Sequence, residues 1–182
     1  MDNYKRIGLY GVSGTGKTTI LKEVSKLTNK AIWLEGSKLV TDAAGINLKY
    51  FKKLSDQEKY FYRESAIETA QKIQSIECKH IIIDGHMVFT KGENDFENVM
   101  TDKDASFYTD YIYLNLPPEI IFKRLQSDRA RKRSYSQITI KNWIDFELNE
   151  IKKFCSERKK NLKILTSTNI AECVNFVCEY IN

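Results

Sequence analysis

Residues Gly11-Val12-Ser13-Gly14-Thr15-Gly16-Lys17-Thr18 read G-x-x-x-x-G-K-[ST], and the fold is read outward from them. On the N-terminal side, Arg6-Ile7-Gly8-Leu9-Tyr10 has the pattern of a short buried strand. On the C-terminal side, Lys17 to Leu27 carries apolar residues at helical period. Strand, glycine-rich turn and helix form the context in which this spacing carries chemistry. The glycines let backbone N–H groups converge as an anion nest. The helix N-terminus adds positive potential. Lys17 supplies a mobile charge for β- and γ-phosphates, and the Thr18 hydroxyl suits Mg²⁺. Gly11, Val12, Ser13, Gly14, Thr15, Gly16, Lys17, Thr18 and Thr19 are therefore candidate ATP-binding residues. ATP and Mg²⁺ are the implied cofactors.

Beyond this loop the chain alternates apolar runs with helical patterns. Ala31-Ile32-Trp33-Leu34 is a second short run. Ser55-Asp56-Gln57-Glu58 has the form of a capping box and opens a helix to about Ser75. Phe61, Ala66, Ile67, Ala70 and Ile73 fall on its apolar side. His80-Ile81-Ile82-Ile83-Asp84 is the clearest strand, because consecutive isoleucines imply burial on both faces. Tyr111 to Leu114 is the next strand, and Pro118 suits the first turn of a helix to about Gln126. A further helix runs from Thr139 to about Lys160, then a strand at Lys163-Ile164-Leu165. A last helix, capped by Asn169 and Glu172, ends near Ile181. Strands alternating with helices predict an α/β doubly wound parallel sheet. Ligands of such sheets sit beyond the carboxyl ends of the strands. Asp84 ends the isoleucine strand, where an acid can hold Mg²⁺, and His86 follows at once.

The length of 182 residues fits one domain, 1–182. Apolar residues make up 42 %, enough for a core, and charged residues 29 %, which excludes a disordered or fibrous class. No run of about 18 apolar residues exists, so no membrane span is expected. The N-terminus lacks the apolar segment of a secretory leader. Cys78, Cys155, Cys173 and Cys178 form no C-x-x-C pair, so neither a metal cluster nor a disulfide framework is expected, and the reading is a cytoplasmic protein with reduced thiols. The net charge of +5 is unevenly built. Of seven arginines, Arg124, Arg129, Arg131 and Arg133 fall within ten residues, in RLQSDRARKRSYS. Guanidinium stays charged and binds phosphate bidentately, so the stretch reads as a lid over a bound nucleotide. A solvated basic face and a nucleic-acid patch are the alternatives.

The motifs together resemble the P-loop nucleoside monophosphate kinases, most closely the archaeal-type adenylate kinases. The resemblance rests on GVSGTGKTT, on the helix start KLSDQEK, on IIIDGH and on LPPEIIFKRLQSDRARKRSYS. It implies a five-strand parallel core with a small acceptor lobe at about residues 36–63 and an arginine-rich lid at about 127–137. It implies transfer of the ATP γ-phosphoryl group to a nucleoside monophosphate or similar small acceptor. Lys17, Arg124, Arg131 and Arg133 are the expected catalytic residues, and Arg129 is an added donor-side contact. Arg63, Lys52, Asp84 and His86 are the expected acceptor-side residues, with Thr18 and Asp84 at the metal. Thr166 to Asn169 is expected near the adenine. Two positions depart from the pattern: Lys52 and Thr90 stand where the resemblance calls for arginine.

Other functions remain open on the sequence. A nucleoside, sugar or polynucleotide 5′-hydroxyl kinase would need a carboxylate base near the acceptor. A slow NTPase acting as a switch is the reading outside phosphotransfer. The N-K-x-D motif of guanine binding and the S-G-G-Q signature of transporter ATPases are both absent.

Overall fold

The computed structural model describes residues 4–128 and 135–182. In chain order its elements are β1 (Arg6–Tyr10), α1 (Lys17–Leu27), β2 (Ala31–Glu35), α2 (Gly36–Ala44), α3 (Leu48–Phe51), α4 (Asp56–Glu77), β3 (His80–Asp84), β4 (Val88–Thr90), β5 (Phe96–Asn98), α5 (Asp102–Phe107), β6 (Asp110–Leu114), α6 (Pro118–Ser127), α7 (Gln137–Glu157), β7 (Asn161–Leu165) and α8 (Ile170–Ile181). Five of the strands form one parallel sheet in the order β2-β3-β1-β6-β7, and β4 and β5 pair antiparallel. Helices cover both faces, as the doubly wound reading requires.

The isoleucine run explains the central position of β3. Ile81 and Ile83 enter the core on one face, with Tyr111, Tyr113, Trp143 and Ile151. Ile82 enters the opposite core, with Ile7, Leu9, Ile20 and Val177. Each such fully buried side chain contributes about 1.5–3 kcal/mol, so a polar residue at any of the three would unsettle one layer. Parallel pairing sets Leu9 opposite Asp84 and Glu35 opposite Asp84. The carboxyl ends of β1, β2 and β3 therefore lie side by side.

α4 starts where expected. The Ser55 hydroxyl accepts from Glu58 N, and the Glu58 carboxylate accepts from Ser55 N at 2.8 Å. The aromatic residues near its start correct the apolar stripe. Phe61 is 63 % exposed and Tyr60 is 41 % exposed, whereas Ala66, Ile67 and Ala70 are buried. A 22-residue helix is about 33 Å long, roughly twice the span of a five-residue strand, so its first turns overhang the sheet.

Candidate active site

The turn between β1 and α1 is built by glycine conformation. Gly11 and Gly16 hold φ of 139° and 98°. A Cβ at Gly11 would sit 2.9 Å from the Leu114 carbonyl oxygen. Gly16 is the left-handed N-cap of α1, and the loop delivers Lys17 as the first helical residue. The Lys17 ammonium donates to the carbonyls of Gly11 and Val12. It is 8 % exposed and lies across the mouth of its own loop. Thr15 is buried, and its hydroxyl donates to the Val12 carbonyl. Arg124 joins this loop from α6. Its guanidinium donates to the Thr15 carbonyl at 2.9 Å and to the Thr168 carbonyl at 3.3 Å. Arg124 thus ties the phosphate loop to the connection before α8. Arg129, Arg131 and Arg133 lie outside the described residues.

Asp84 meets this loop from the neighbouring strand. The Thr18 hydroxyl donates to Asp84 Oδ2 at 2.8 Å. Gly36 N donates to Asp84 Oδ1 at 3.3 Å. Burial pushes the Asp84 carboxyl above the usual carboxylate range, against the lowering effect of Thr18, Lys17 and Gly36, while Glu35 adds to the rise. A cation placed between Thr18 and Asp84 would oppose that rise, because a nearby positive charge favours the ionised carboxylate. Two converging oxygen donors suit Mg²⁺, a hard ion that keeps most of its waters. The donor set therefore fits the ion.

Three further residues at the site escape the sequence reading. Glu35 ends β2 directly beside Asp84, and its carboxylate accepts from the Ser37 hydroxyl at 3.0 Å. Gly36 follows, and a Cβ there would lie 2.5 Å from the Asp84 carbonyl oxygen. Any side chain at 36 would thus displace Asp84. The signal was a Glu-Gly pair closing an apolar run. The third is Glu147 on α7, which is fully buried. Its signal was a single glutamate in the apolar stripe Ile140, Trp143, Ile144, Ile151.

Of the residues expected on the acceptor side, Arg63 of α4 is half-buried with its guanidinium 6.0 Å from the Phe89 ring centroid. Burial lowers its pKa, and Glu97, Asp104 and Asp56 oppose that shift. His86 stands 5.3 Å from the Phe89 ring and 6.4 Å from the Trp143 indole. Arg63, Phe89 and His86 therefore share one wall. Lys52 is exposed at the C-cap of α3, and among the described residues no hydrogen bond or ion pair brings it to Asp84 or Arg63. Thr90 has its hydroxyl bonded to the Gly92 carbonyl.

The sequence model of the AAA domain family matches residues 10–141, from the end of β1 into α7. The chain belongs to that family. No curated protein matches this AAA-domain chain in sequence. Solved structures do match its fold. A shikimate kinase from Bacteroides thetaiotaomicron is similar at TM-score 0.64 and 15 % identity, over 97 % of each chain. A shikimate kinase from Acinetobacter baumannii, in complex with shikimate, is similar at TM-score 0.65 and 16 % identity, over 99 % of this chain and 94 % of that one. A sugar kinase from Janibacter is similar at TM-score 0.58 and 16 % identity, over 97 % and 94 %. The AAA-domain chain thus has the P-loop kinase fold, a five-strand parallel sheet between helical layers.

Proposed function

We propose that the chain is an ATP-dependent phosphotransferase that moves the γ-phosphoryl group to a small acceptor. One observation carries the reading: the Thr18 hydroxyl of the phosphate loop and Asp84 of the adjacent strand meet at 2.8 Å. A phosphate cradle with a magnesium ligand at its lip is the donor half of a phosphoryl-transfer site. The shikimate and sugar kinases of like fold support the same class.

In this reading the loop amides and Lys17 hold the β- and γ-phosphates. Thr18 and Asp84 hold Mg²⁺, which supplies charge neutralisation on those phosphates. Arg124 fixes the loop from outside. Arg129, Arg131 and Arg133, outside the described residues, supply cations to the transferring group. Residues 36–63 form the acceptor lobe and 127–137 the lid of a single domain. The acceptor oxygen attacks the γ-phosphorus, the bond from that phosphorus to the bridging oxygen breaks, and ADP leaves. Positioning and electrostatics do most of this work.

The resemblance to nucleoside monophosphate kinases makes a nucleoside monophosphate the first acceptor, with its phosphate on Arg63, its base toward His86 and Phe89, and Lys52 at the rim. A second reading is favoured by Glu35. A hydroxyl acceptor must lose its proton, and the Glu35 carboxylate beside Asp84 is a base for it.

The test is ADP release on a panel of nucleoside monophosphates, nucleosides, small hydroxy acids, sugars and a 5′-hydroxyl oligonucleotide, with K17A as the blank. Acceptor-dependent release supports the reading, and the best acceptor chooses between its two forms. Release at the level of the blank with every acceptor would sink it.

A further inference from the structure

Glu147 is 0 % exposed, in the middle of α7. A buried carboxylate is costly unless its oxygens are hydrogen-bonded. Here they are. Its Oε1 accepts from Met87 N at 3.1 Å and from Val88 N at 3.2 Å. Its Oε2 accepts from the Tyr113 hydroxyl of β6 at 3.4 Å. One turn earlier, Trp143 Nε1 donates to the Val88 carbonyl at 3.2 Å. Val99 N donates to the Met87 carbonyl at 2.8 Å. Every backbone polar group of Met87 and Val88 is thereby held, two of them by one carboxylate from a distant helix.

The held segment is not arbitrary. It begins three residues after Asp84, and His86 lies between the magnesium ligand and the clamp. Gly85 and His86 are partly exposed, while Met87 and Val88 are 0 % exposed. The same carboxylate feels Lys17, whose charge opposes the effect of burial on it. Glu147 thus stands under both halves of the site: near the donor lysine, and bonded to the backbone that carries the acceptor wall.

We propose that Glu147 is a positioning residue for the acceptor: through the Met87 and Val88 amides it holds His86 and Phe89 in register with Asp84 and the phosphate loop. The proposal rests on the phosphotransferase reading for the acceptor whose placement it sets. It makes a distinction that a general packing role does not. Oε1 carries both amide bonds, so a glutamine at 147 keeps them and can donate to Tyr113 with its Nε2. An alanine leaves two buried N–H groups unpaired. Phosphoryl transfer is sensitive to acceptor displacements of about 1 Å.

The experiment compares E147Q, E147A and W143F with the parent chain by amide hydrogen exchange, ATP-analogue binding and acceptor kinetics. In E147A the Met87 and Val88 amides exchange at least about tenfold faster while those of β1 are unchanged. Acceptor KM rises about tenfold and ATP affinity stays within about twofold. E147Q stays within about threefold of the parent in each readout. W143F, which removes only the indole bond, moves acceptor KM by about threefold in the same direction and serves if E147A does not fold. Unchanged exchange at Met87 and Val88 in E147A would overturn the proposal. So would an E147Q as impaired as E147A, or ATP affinity falling in step with acceptor KM. If the parent chain turns over no acceptor, the phosphotransferase reading fails, and the exchange data alone then decide whether the clamp exists.

Discussion

In the proposed phosphotransferase, the donor and acceptor halves of the crevice are built by different means. The donor half is backbone: glycines in left-handed conformations, converging amides, a helix N-terminus, and one lysine folded over two carbonyls. The acceptor half is side chains from separated elements: Glu35 of β2, Arg63 of α4, His86 and Phe89 around β4, and the clamp from α7. A backbone cradle depends on a few contiguous residues and tolerates little change. A wall of distant side chains can be retuned one residue at a time, because each is held by its own helix or strand. The chain shares its fold with shikimate and sugar kinases at 15–16 % identity.

The sharpest way to break this contrast is at Lys17. K17A is expected to lower acceptor-dependent ADP release about a thousandfold, the scale of losing one preorganised charge at developing negative charge. The melting temperature should move far less than the rate, since the ammonium's hydrogen bonds to the Gly11 and Val12 carbonyls stay within its own loop. A variant that retains parental turnover would show that the cradle does not hold the transferring phosphates.

The acceptor half makes a different forecast, in stability rather than rate. Burial raises the Glu147 carboxyl from 4.5 to about 7, against the opposing effects of Lys17, the Met87 and Val88 amides and Tyr113. Between those values the folded chain keeps a proton that the unfolded chain has released, so stability falls as pH rises from about 4.5 to about 7 and is flat for this group above that. The size is about 3 kcal/mol across the window. Denaturant unfolding of the parent and of E147Q at several pH values checks it. The difference between the two should lose stability with rising pH. A parent slope equal to that of E147Q would mean the carboxyl ionises at its ordinary value. The clamp survives both states, because neutral Glu147 still offers Oε1 to both amides.

The contrast also explains what could be read in advance. Features whose partners are near in sequence were legible: the phosphate loop, the Ser55–Glu58 box, and the isoleucine run with its Asp84 end. Helical period also placed Phe61 among the core residues, and there it failed. Periodicity reports one face of a helix but not how far the covered sheet extends. Glu35 and Gly36 acquire meaning only when β2 pairs with β3 and sets them against Asp84. Glu147 acquires it only when α7 crosses the residues after β3. Spacing along the chain carries none of these tertiary meetings.

The smallest expected effect is the most discriminating for the acceptor. Arg63 is the only arginine between residues 7 and 123, and its wall is shared with Phe89 and His86. R63K keeps a cation but replaces a planar five-donor fork with a point charge. If the acceptor presents a phosphate or carboxylate to Arg63, R63K should raise acceptor KM about tenfold, with kcat and ATP affinity near parental values. If the acceptor is held by hydroxyls against Glu35, R63K should leave KM within about twofold, and E35Q should instead lower kcat. Steady-state kinetics on both variants with the best acceptor of the panel separates the two. A kcat loss in R63K with unchanged KM would contradict both, because it would place this guanidinium on the transferring phosphoryl group rather than on the acceptor.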